Sequence, residues 1–313
     1  MDDVGLAKLV RDAYGIEVDA VVQKRTVWGV VSGNARYILK RARPQDSEAR
    51  LEALARVLKQ CERVGVASAG PLKTVQNTFC AADAQGTKYY LQPWLDGRHV
   101  DVREEEERLA VARALARAQR AMLGDPPREL CTSTLRDKWR AKLLLIERLQ
   151  SAPVDAEIAQ SLRDVAARAR QVYQAYLEDG PRRPAFCHRD LAPHNVLVGP
   201  GRNIAFIDFD HAGYDDPFAD PIQWVSHVAF LVPLDPIAYR RLWLAYAQAA
   251  ELSEAGLAAL VRLGAWPDMA LRALAEALRA GSPESRMWRV RYALRREEDR
   301  LRMHDAWLRE LNA

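Results

Sequence analysis

The sequence predicts an α+β protein of two lobes: a small N-terminal lobe with an antiparallel β-sheet plus one helix, and a large, mainly helical C-terminal lobe. Short β-branched runs separated by turn residues fill the first part of the chain, whereas apolar residues at helical spacing dominate the later part. We expect the N-terminal lobe to span residues 1–94 and the helical lobe to span residues 95–313.

Composition is that of an ordinary globular protein, with 49% hydrophobic and 28% charged residues in a chain of 313. No apolar run approaches the roughly 20 residues of a membrane span, and the acidic start Met1-Asp2-Asp3 lacks the apolar core of a secretion signal. The four cysteines show no C-x-x-C spacing, as expected of thiols in a reducing compartment. We therefore expect a cytoplasmic location without membrane contact, and the net charge of +4 gives no reason to expect nucleic-acid binding.

A three-stranded meander is predicted near the N-terminus, because β-branched residues recur there in short runs. The runs cover residues 18–22, 26–31 and 35–39. Gln23-Lys24-Arg25 is the predicted first turn and Ser32-Gly33-Asn34 the second, where Gly and Asn tolerate a positive φ. Lys40 follows directly after the third run, so its side chain is expected at the end of a strand.

The rest of this lobe is predicted as one helix and two further strands. Apolar residues at helical spacing mark the helix over residues 46–64, and the strands lie at residues 72–75 and 88–94. The stretch from Gln92 to Gly97 is the predicted connection to the helical lobe.

Helices are predicted for most of the second lobe. They cover residues 101–122, 133–150 and 154–178, and residues 222–311 form a helical block interrupted at turns that contain proline or glycine. The acidic residues that open the first of these helices suit the positive end of its dipole, so no ligand is needed to explain them.

The most informative stretch runs from Cys187 to Asp210 and reads C-H-R-D-L-A-P-H-N-V-L-V-G-P-G-R-N-I-A-F-I-D-F-D. It matches the kinase catalytic-loop pattern H-R-D-L-x-x-x-N at every fixed position. Asp208 follows an apolar run, where kinases carry a metal-binding aspartate. A lone H-x-D would mean little, but this loop followed by I-D-F-D is a strong signal.

The stretch resembles the kinase-like phosphotransferases, a group that contains aminoglycoside phosphotransferases, choline kinases and the CotS-type spore-coat kinases. The CotS-type kinases are the most similar subgroup, judged by the glycine-poor first hairpin, by the sequence Y-I-L-K-R at residues 37–41 and by the catalytic loop itself. The resemblance implies a bilobal protein-kinase-like fold and, for that subgroup, a spore-forming bacterium.

The resemblance also implies roles for the acidic and amide residues of this stretch. Asp190 would accept the hydrogen bond of the attacking hydroxyl group and take its proton late in the transfer. Asn195 and Asp208 would complete the catalytic set as oxygen ligands of Mg²⁺. Asp210 replaces the glycine of the protein-kinase D-F-G motif and would either contact the metal directly or support the residues that do.

Two further residues are implied as structural support for the catalytic loop. Asp220, in the sequence F-A-D-P, resembles the family aspartate that opens the next helix and holds the loop by hydrogen bonds. His188 belongs to the loop pattern itself.

Nucleotide binding is implied for four residues of the first lobe. Lys40 resembles the strand lysine that pairs with the α- and β-phosphates of ATP, and its glutamate partner is expected on the following helix, with Glu52 preferred and Glu48 as the alternative. Gln92 and Trp94 lie where backbone groups would bind adenine, although Trp94 equally fits a core position. The implied cofactors are ATP and Mg²⁺, with GTP left open.

Two departures from protein kinases bear on function. The first hairpin turn has no glycine, so its backbone does not approach phosphates as a Gly-rich loop does. Asp220 follows Asp208 by only twelve positions, without an activation segment or an A-P-E motif between them. Because protein substrates normally dock on that segment, its absence favours a small-molecule acceptor.

These features predict an ATP- and magnesium-dependent phosphotransferase that moves the γ-phosphate to a hydroxyl group of a small molecule or saccharide, associated with the spore coat. The alternative is a catalytically weak or inactive kinase-fold protein that serves as a spore-coat assembly or binding module, with coat proteins as partners. Intact Lys40, Asp190, Asn195 and Asp208 favour the enzyme, and the missing glycines favour the module. Antibiotic resistance is a third alternative that no residue singles out.

Overall fold

The computed structural model describes residues 2–131, 133–150, 156–279 and 287–311, which form two compact units. The first unit contains Met1–Arg98, Pro127–Leu130 and Leu197–Asp208. The second contains His99–Pro126, Cys131–Val196 and Phe209–Ala313. Within the described ranges, no helix is both long enough and apolar enough to cross a membrane.

Strands predominate in the first part of the described chain and helices in the rest. In order from the N-terminus they are α1 (Asp3–Tyr14), β1 (Ala20–Lys24), β2 (Val27–Ser32), β3 (Ala35–Arg41), α2 (Glu48–Arg63), β4 (Ala67–Ser68), β5 (Ala81–Ala82), β6 (Lys88–Pro93), β7 (Arg98–His99), α3 (Glu105–Ala121), α4 (Leu135–Gln150), α5 (Ala156–Asp179), β8 (Ala185–Cys187), β9 (Val196–Val198), β10 (Ile204–Phe206), β11 (Gly213–Asp215), α6 (Ala219–Leu231), α7 (Pro236–Ala249), α8 (Glu254–Gly264), α9 (Asp268–Arg279) and α10 (Met287–Leu311).

The first unit is built on a five-stranded antiparallel sheet in the order β1-β2-β3-β6-β5. The predicted meander is present, but its first turn lies at Arg25 and Thr26, because Lys24 pairs with Val27. Arg25 takes a φ of 50°, the left-handed conformation that this two-residue turn requires. Residues 72–75 were predicted as a strand but do not form one. The N–H group of Leu72 donates a hydrogen bond to the carbonyl oxygen of Leu91 at 2.7 Å.

Helix α1 precedes the sheet and was not predicted from the sequence. Its N-cap is Asp2, whose carboxylate accepts the N–H of Gly5 at 2.9 Å. Leu6 and Val10 are fully buried against the sheet in a cluster that includes Leu39. Burial of an aliphatic side chain of this size contributes about 1.5–3 kcal/mol, so α1 is an integral layer of the first unit.

The second unit is mainly helical and includes a two-stranded antiparallel sheet of β8 and β11, in which Cys187 pairs with Gly213. The predicted helix over residues 154–178 corresponds to α5, and its first two residues lie outside the described chain. Trp139 of α4 stacks on Trp266 with ring centroids 4.3 Å apart and an interplanar angle of 9°. Trp266 is fully buried, so these aromatic residues serve the core.

A buried arginine fixes the end of α8. Arg300 of α10 donates hydrogen bonds to the carbonyl oxygens of Gly264 at 2.6 Å and Trp266 at 2.9 Å. Glu297, one turn earlier on α10, accepts from the same guanidinium group. Because the last carbonyl groups of a helix have no partner within it, this arginine stabilises the α8 terminus from the neighbouring helix. The charge itself is compensated by Glu297.

Substitution of Gly264 by alanine is expected to destabilise the second unit. An added Cβ would lie 2.7 Å from two ring carbons of the fully buried Trp243, so the core must shift. We expect the free energy of unfolding, measured by chemical denaturation, to fall by about 1–3 kcal/mol.

Gly256→Ala provides the matched control within α8, since the nearest atoms to its added Cβ lie at 3.4 Å. Alanine's helix propensity should leave its stability unchanged or raise it by up to about 1 kcal/mol. Equal stabilities of the two variants would contradict the tight Gly264–Trp243 packing.

Candidate active site

In the loop that follows β8, the backbone before Asp190 is held by one carboxylate. Asp220, in the first turn of α6, is fully buried and accepts the backbone N–H of His188 at 2.6 Å and that of Arg189 at 2.8 Å. Arg189 has a φ of 67°, a left-handed conformation that is uncommon for a non-glycine residue. The two bonds fix the backbone immediately before Asp190, so the conformation of the loop depends on α6.

Two more residues of α6 bind the residue after Asp190. The amide oxygen of Gln223 accepts the N–H of Leu191 at 2.8 Å, and His227 Nδ1 lies 3.0 Å from the carbonyl oxygen of Leu191. Burial, followed by the nearby positive charge of Arg272, lowers the pKa of His227 to about 4. The imidazole is therefore neutral at pH 7, and because its Nδ1 faces a carbonyl oxygen, that nitrogen carries the proton.

Helix α4 supports the loop from its own N-terminus. Asp215 accepts the N–H of Leu135 at 2.7 Å and lies 3.3 Å from Arg189 Nε. Lys138, in the first turn of α4, donates to the carbonyl oxygen of Arg189 at 3.3 Å. Burial, together with the neighbouring Arg189, lowers the pKa of Lys138. These contacts bind both the side chain and the carbonyl group of Arg189.

Asp190 and Asn195 lie on this fixed loop. The Asn195 side-chain amide donates to the carbonyl oxygen of Asp190 at 2.8 Å, which directs its Nδ2 inward and leaves its Oδ1 as the acceptor end. The Asp190 N–H points to His188 Nδ1 at 3.3 Å. The Asp190 side chain is 35% exposed. A carboxylate with this exposure on a fixed backbone can be reached by a ligand from solvent and can accept a proton from it.

In the first unit, the structure brings Lys40 and Asp208 together. Lys40 Nζ lies 2.7 Å from Asp208 Oδ1, and the lysine is buried while the aspartate side chain is 49% exposed. Lys40 is near the end of β3 and Asp208 follows β10, which pairs in parallel with β4. Asp208 takes a φ of 65°, again left-handed without being glycine. The ion pair therefore holds the ammonium group of Lys40 next to the partly exposed carboxylate of Asp208.

The two glutamates considered as partners of Lys40 lie on α2. The Glu48 carboxylate accepts the backbone N–H groups of Phe79 at 2.7 Å and Cys80 at 2.9 Å. Glu52 is exposed on the same helix. Its pairing with Lys40 stays a prediction.

Gln92 lies near the end of β6, and Trp94 directly follows that strand. Gln92 is buried opposite Ile38 of β3, and the Trp94 N–H donates to the carbonyl oxygen of Arg36 at 3.0 Å. The Arg36 guanidinium also lies over the Trp94 ring, 5.3 Å from its centroid. Trp94 is therefore a platform for a cation on the sheet rather than a fully buried core residue.

Gly97 makes the closest backbone approach in this connection. It has a φ of 154°, and a Cβ added there would lie 2.9 Å from the carbonyl oxygen of Val198. Only glycine fits this position without moving the backbone.

The donor groups available for Mg²⁺ are oxygen atoms. Asn195 offers an amide oxygen, and Asp208 and Asp210 offer carboxylates, which are the ligands that this cation prefers. Asp210 lies in a 3₁₀ turn at Phe209–His211 and is partly exposed. No group of three or more His, Cys, Asp or Glu residues is already assembled among the described residues. Taken one by one, these oxygen donors are chemically suited to magnesium.

Sequence reasoning missed Gln223, His227, Lys138 and the role of Arg272 as the neighbour of Asp190. The spacing of Asp220, Gln223 and His227 did contain a signal, because residues three and seven positions apart share one face of a helix. Lys138 and Arg272 carried none, since both approach the loop from distant parts of the chain.

Comparison with known proteins identifies the family. A search of curated proteins finds no match to this chain. The model of the phosphotransferase enzyme family, APH, matches residues 20–260. Most of the chain is therefore covered by that family.

Solved structures are similar in fold across nearly the whole chain. The aminoglycoside phosphotransferase from Alicyclobacillus acidocaldarius superposes with a TM-score of 0.75 at 16% identity, covering 97% of this chain and 94% of that one. The amicoumacin kinase hAmiN in complex with AMP-PNP, Ca²⁺ and Ami gives 0.69 at 15% identity, with 95% and 94% covered. The microcompartment-associated aminopropanol kinase gives 0.67 at 18% identity, with 99% and 98% covered.

These comparisons confirm the predicted kinase-like fold, with its antiparallel sheet and large helical part. They also confirm the predicted enzyme class, a phosphotransferase with a hydroxyl acceptor. The particular similarity to the CotS-type kinases stays a prediction. The chain belongs to the phosphotransferase enzyme family.

Proposed function

We propose that this protein is an ATP- and magnesium-dependent phosphotransferase that transfers the γ-phosphate to a hydroxyl group of a small molecule or saccharide in the cytoplasm. The observation that carries the proposal is the partly exposed Asp190 carboxylate on a loop whose backbone is fixed by the buried Asp220. Phosphoryl transfer requires positioning and charge stabilisation more than covalent chemistry, and a fixed acidic group supplies the positioning.

Asp190 orients the acceptor in this proposal. Its carboxylate accepts the hydrogen bond of the attacking hydroxyl group and takes the proton as the new P–O bond forms. Asp220, Gln223 and His227 keep the peptide groups on both sides of Asp190 in place, so the carboxylate does not have to be ordered at each turnover.

Lys40 binds the nucleotide phosphates in this proposal, with Glu52 as its expected partner. Its pairing with Asp208 holds the ammonium group near the end of β3. Asp208, Asn195 and Asp210 are the residues that would hold Mg²⁺, which neutralises charge on the phosphate oxygens when it is bound. The backbone at Gln92 and Trp94 would contact the base.

The use of a nucleotide and a divalent cation is supported by one neighbour in particular. The amicoumacin kinase structure contains AMP-PNP and Ca²⁺ together with Ami. By analogy, we propose that this chain also binds a nucleoside triphosphate together with Mg²⁺. Titrations with ATP and with GTP test which base it prefers.

Association with the spore coat, and the alternative of a coat assembly module without turnover, rest on the sequence resemblance alone. The fixed Asp190 loop and the Lys40–Asp208 pair favour the enzyme, because a passive module has no use for a preorganised carboxylate. Coat proteins as partners stay a prediction.

Removal of the two aspartates should separate binding from turnover. In calorimetric titrations with ATP and with GTP, we expect the wild-type protein to bind one of them in a magnesium-dependent manner and Asp208→Ala to lose the magnesium dependence. Asp190→Ala should bind the nucleotide normally, whereas its transfer rate, measured as ADP formation with a panel of hydroxyl compounds, should fall by about 10²–10⁴-fold.

Asp299→Ala is the matched control, since this exposed carboxylate pairs with Arg302 on the surface of α10. It should leave binding and turnover unchanged. Unaltered turnover in Asp190→Ala would remove Asp190 from the reaction, and failure of the wild-type protein to bind either nucleotide at millimolar concentration would favour the binding module.

Replacement of Asp220 by asparagine should reduce stability and turnover together. An amide group can accept only one of the two backbone N–H bonds that the carboxylate accepts, and its own NH₂ group would face the other donor. We expect a loss of about 2–4 kcal/mol in the free energy of unfolding, because a buried donor is left without its charged acceptor.

Asp235→Asn is the control for this substitution. Asp235 also accepts a backbone N–H, from Ala238 at 2.8 Å, but it is an exposed N-cap where asparagine caps equally well. Its stability and turnover should match the wild-type values. An Asp220→Asn protein as stable as wild type would show that the two hydrogen bonds are dispensable.

A further inference from the structure

A second charged group lies beside Asp190 in the same unit. Arg272, on α9, has its Nη2 atom 3.7 Å from Asp190 Oδ1, and its side chain is 34% exposed. That distance is an ion pair but is too long for a hydrogen bond. Arg272 therefore contributes charge to the surroundings of Asp190 without being fixed to it.

The hydrogen-bond donors of Arg272 have no acceptor in the part of the chain that the structure describes. A guanidinium group presents five N–H donors in a planar fork. The buried Arg300, by comparison, donates to two carbonyl oxygens and to Glu297. Arg272 differs, because its guanidinium group is partly exposed to solvent next to the Asp190 carboxylate.

The other titratable groups around Arg272 do not neutralise it. Asp268, one turn earlier on α9, is bonded to Lys142 of α4. Burial alone would raise the pKa of Asp268, but Lys142 and then Arg272 hold it well below its usual range, so it is ionised and compensates Lys142. His227 of α6 is neutral at pH 7. Among the described residues, Asp190 at 3.7 Å forms the ion pair with Arg272, and the ionised Asp268 also interacts with its charge.

The charge of Arg272 bears on which acceptors could bind beside Asp190. During transfer Asp190 is hydrogen-bonded to the acceptor hydroxyl, so the rest of the acceptor lies close to Arg272. A cationic substituent there would be repelled by the guanidinium group, whereas a carboxylate or phosphate matches its planar fork and forms two parallel hydrogen bonds.

We propose that Arg272 binds an anionic group of the acceptor, and that the substrates of this protein are hydroxyl compounds carrying a carboxylate or a phosphate. This proposal rests on the phosphotransferase function proposed above. It assigns Arg272 as a specificity-determining residue that contacts the substrate at a position other than the reacting hydroxyl.

The test uses matched three-carbon probes that differ in charge. Wild-type protein saturated with AMP-PNP and Mg²⁺ is titrated calorimetrically with glycerate, glycerol 1-phosphate, glycerol and 3-amino-1,2-propanediol. We expect at least one anion to bind about tenfold or more tightly than glycerol and the amine, as one charge-assisted bidentate contact predicts. The stronger of the two anions identifies whether the site suits a carboxylate or a phosphate.

Two substitutions of Arg272 and one control identify the residue responsible. Arg272→Gln should weaken binding of the preferred anion by about tenfold or more and leave glycerol unchanged, and Arg272→Lys should be intermediate because it keeps the charge without the fork. Arg241→Gln removes an arginine of α7 that is 61% exposed and paired with Glu105, and it should have no effect.

Each contrary outcome has its own meaning. Absence of AMP-PNP binding in the wild-type protein would overturn the proposed function before the acceptor is considered. Normal AMP-PNP binding with anions that bind no better than glycerol, or an Arg272→Gln protein with unchanged anion affinity, would overturn the role of Arg272 alone. Weaker AMP-PNP binding in Arg272→Gln would also overturn it, because the arginine would then contact the nucleotide. Thermal unfolding of each variant separates these effects from misfolding.

Discussion

The backbone immediately before Asp190 depends on one buried carboxylate, that of Asp220. Asp220 is removed from solvent and satisfied by the N–H groups of His188 and Arg189, and it compensates for the left-handed backbone at Arg189. Without those bonds, two buried donors would lack acceptors and the strained residue would relax. The interaction therefore supports the fold and orients Asp190 at the same time.

Side chains of helix α6 form hydrogen bonds with the backbone of the loop at several points. Asp220 accepts the N–H groups of His188 and Arg189, and Gln223 and His227, on the same helix, bind the N–H and the carbonyl oxygen of Leu191. In the first unit, Asp208 has a comparable left-handed backbone and is paired with Lys40. Each unit thus has a left-handed non-glycine residue at or next to its charged group, namely Asp208 itself in the first unit and Arg189, which precedes Asp190, in the second.

Much of the architecture could be predicted from local patterns, because β-branched runs and helical periodicity report burial directly. The position of the first turn could not be predicted in this way, because no glycine marks it and Arg25 adopts a positive φ there. The motif located the stretch that contains Asp190, but the approach of Arg272 arises from the packing of α9, more than eighty positions later in the chain. Such contacts are set by tertiary structure, and a single sequence gives no local sign of them.

The residues between Asp208 and Asp220 form a turn, a paired strand and ion pairs. It contains the 3₁₀ turn at Phe209–His211 and strand β11, which pairs with β8, while Asp215 and Asp216 are bound by Arg189 and Arg182. In kinases regulated by phosphorylation, a longer segment at this point changes between disordered and ordered states. In this chain the same interval has twelve positions that already contain a turn, a paired strand and ion pairs, so an order–disorder change of that kind is not available to it.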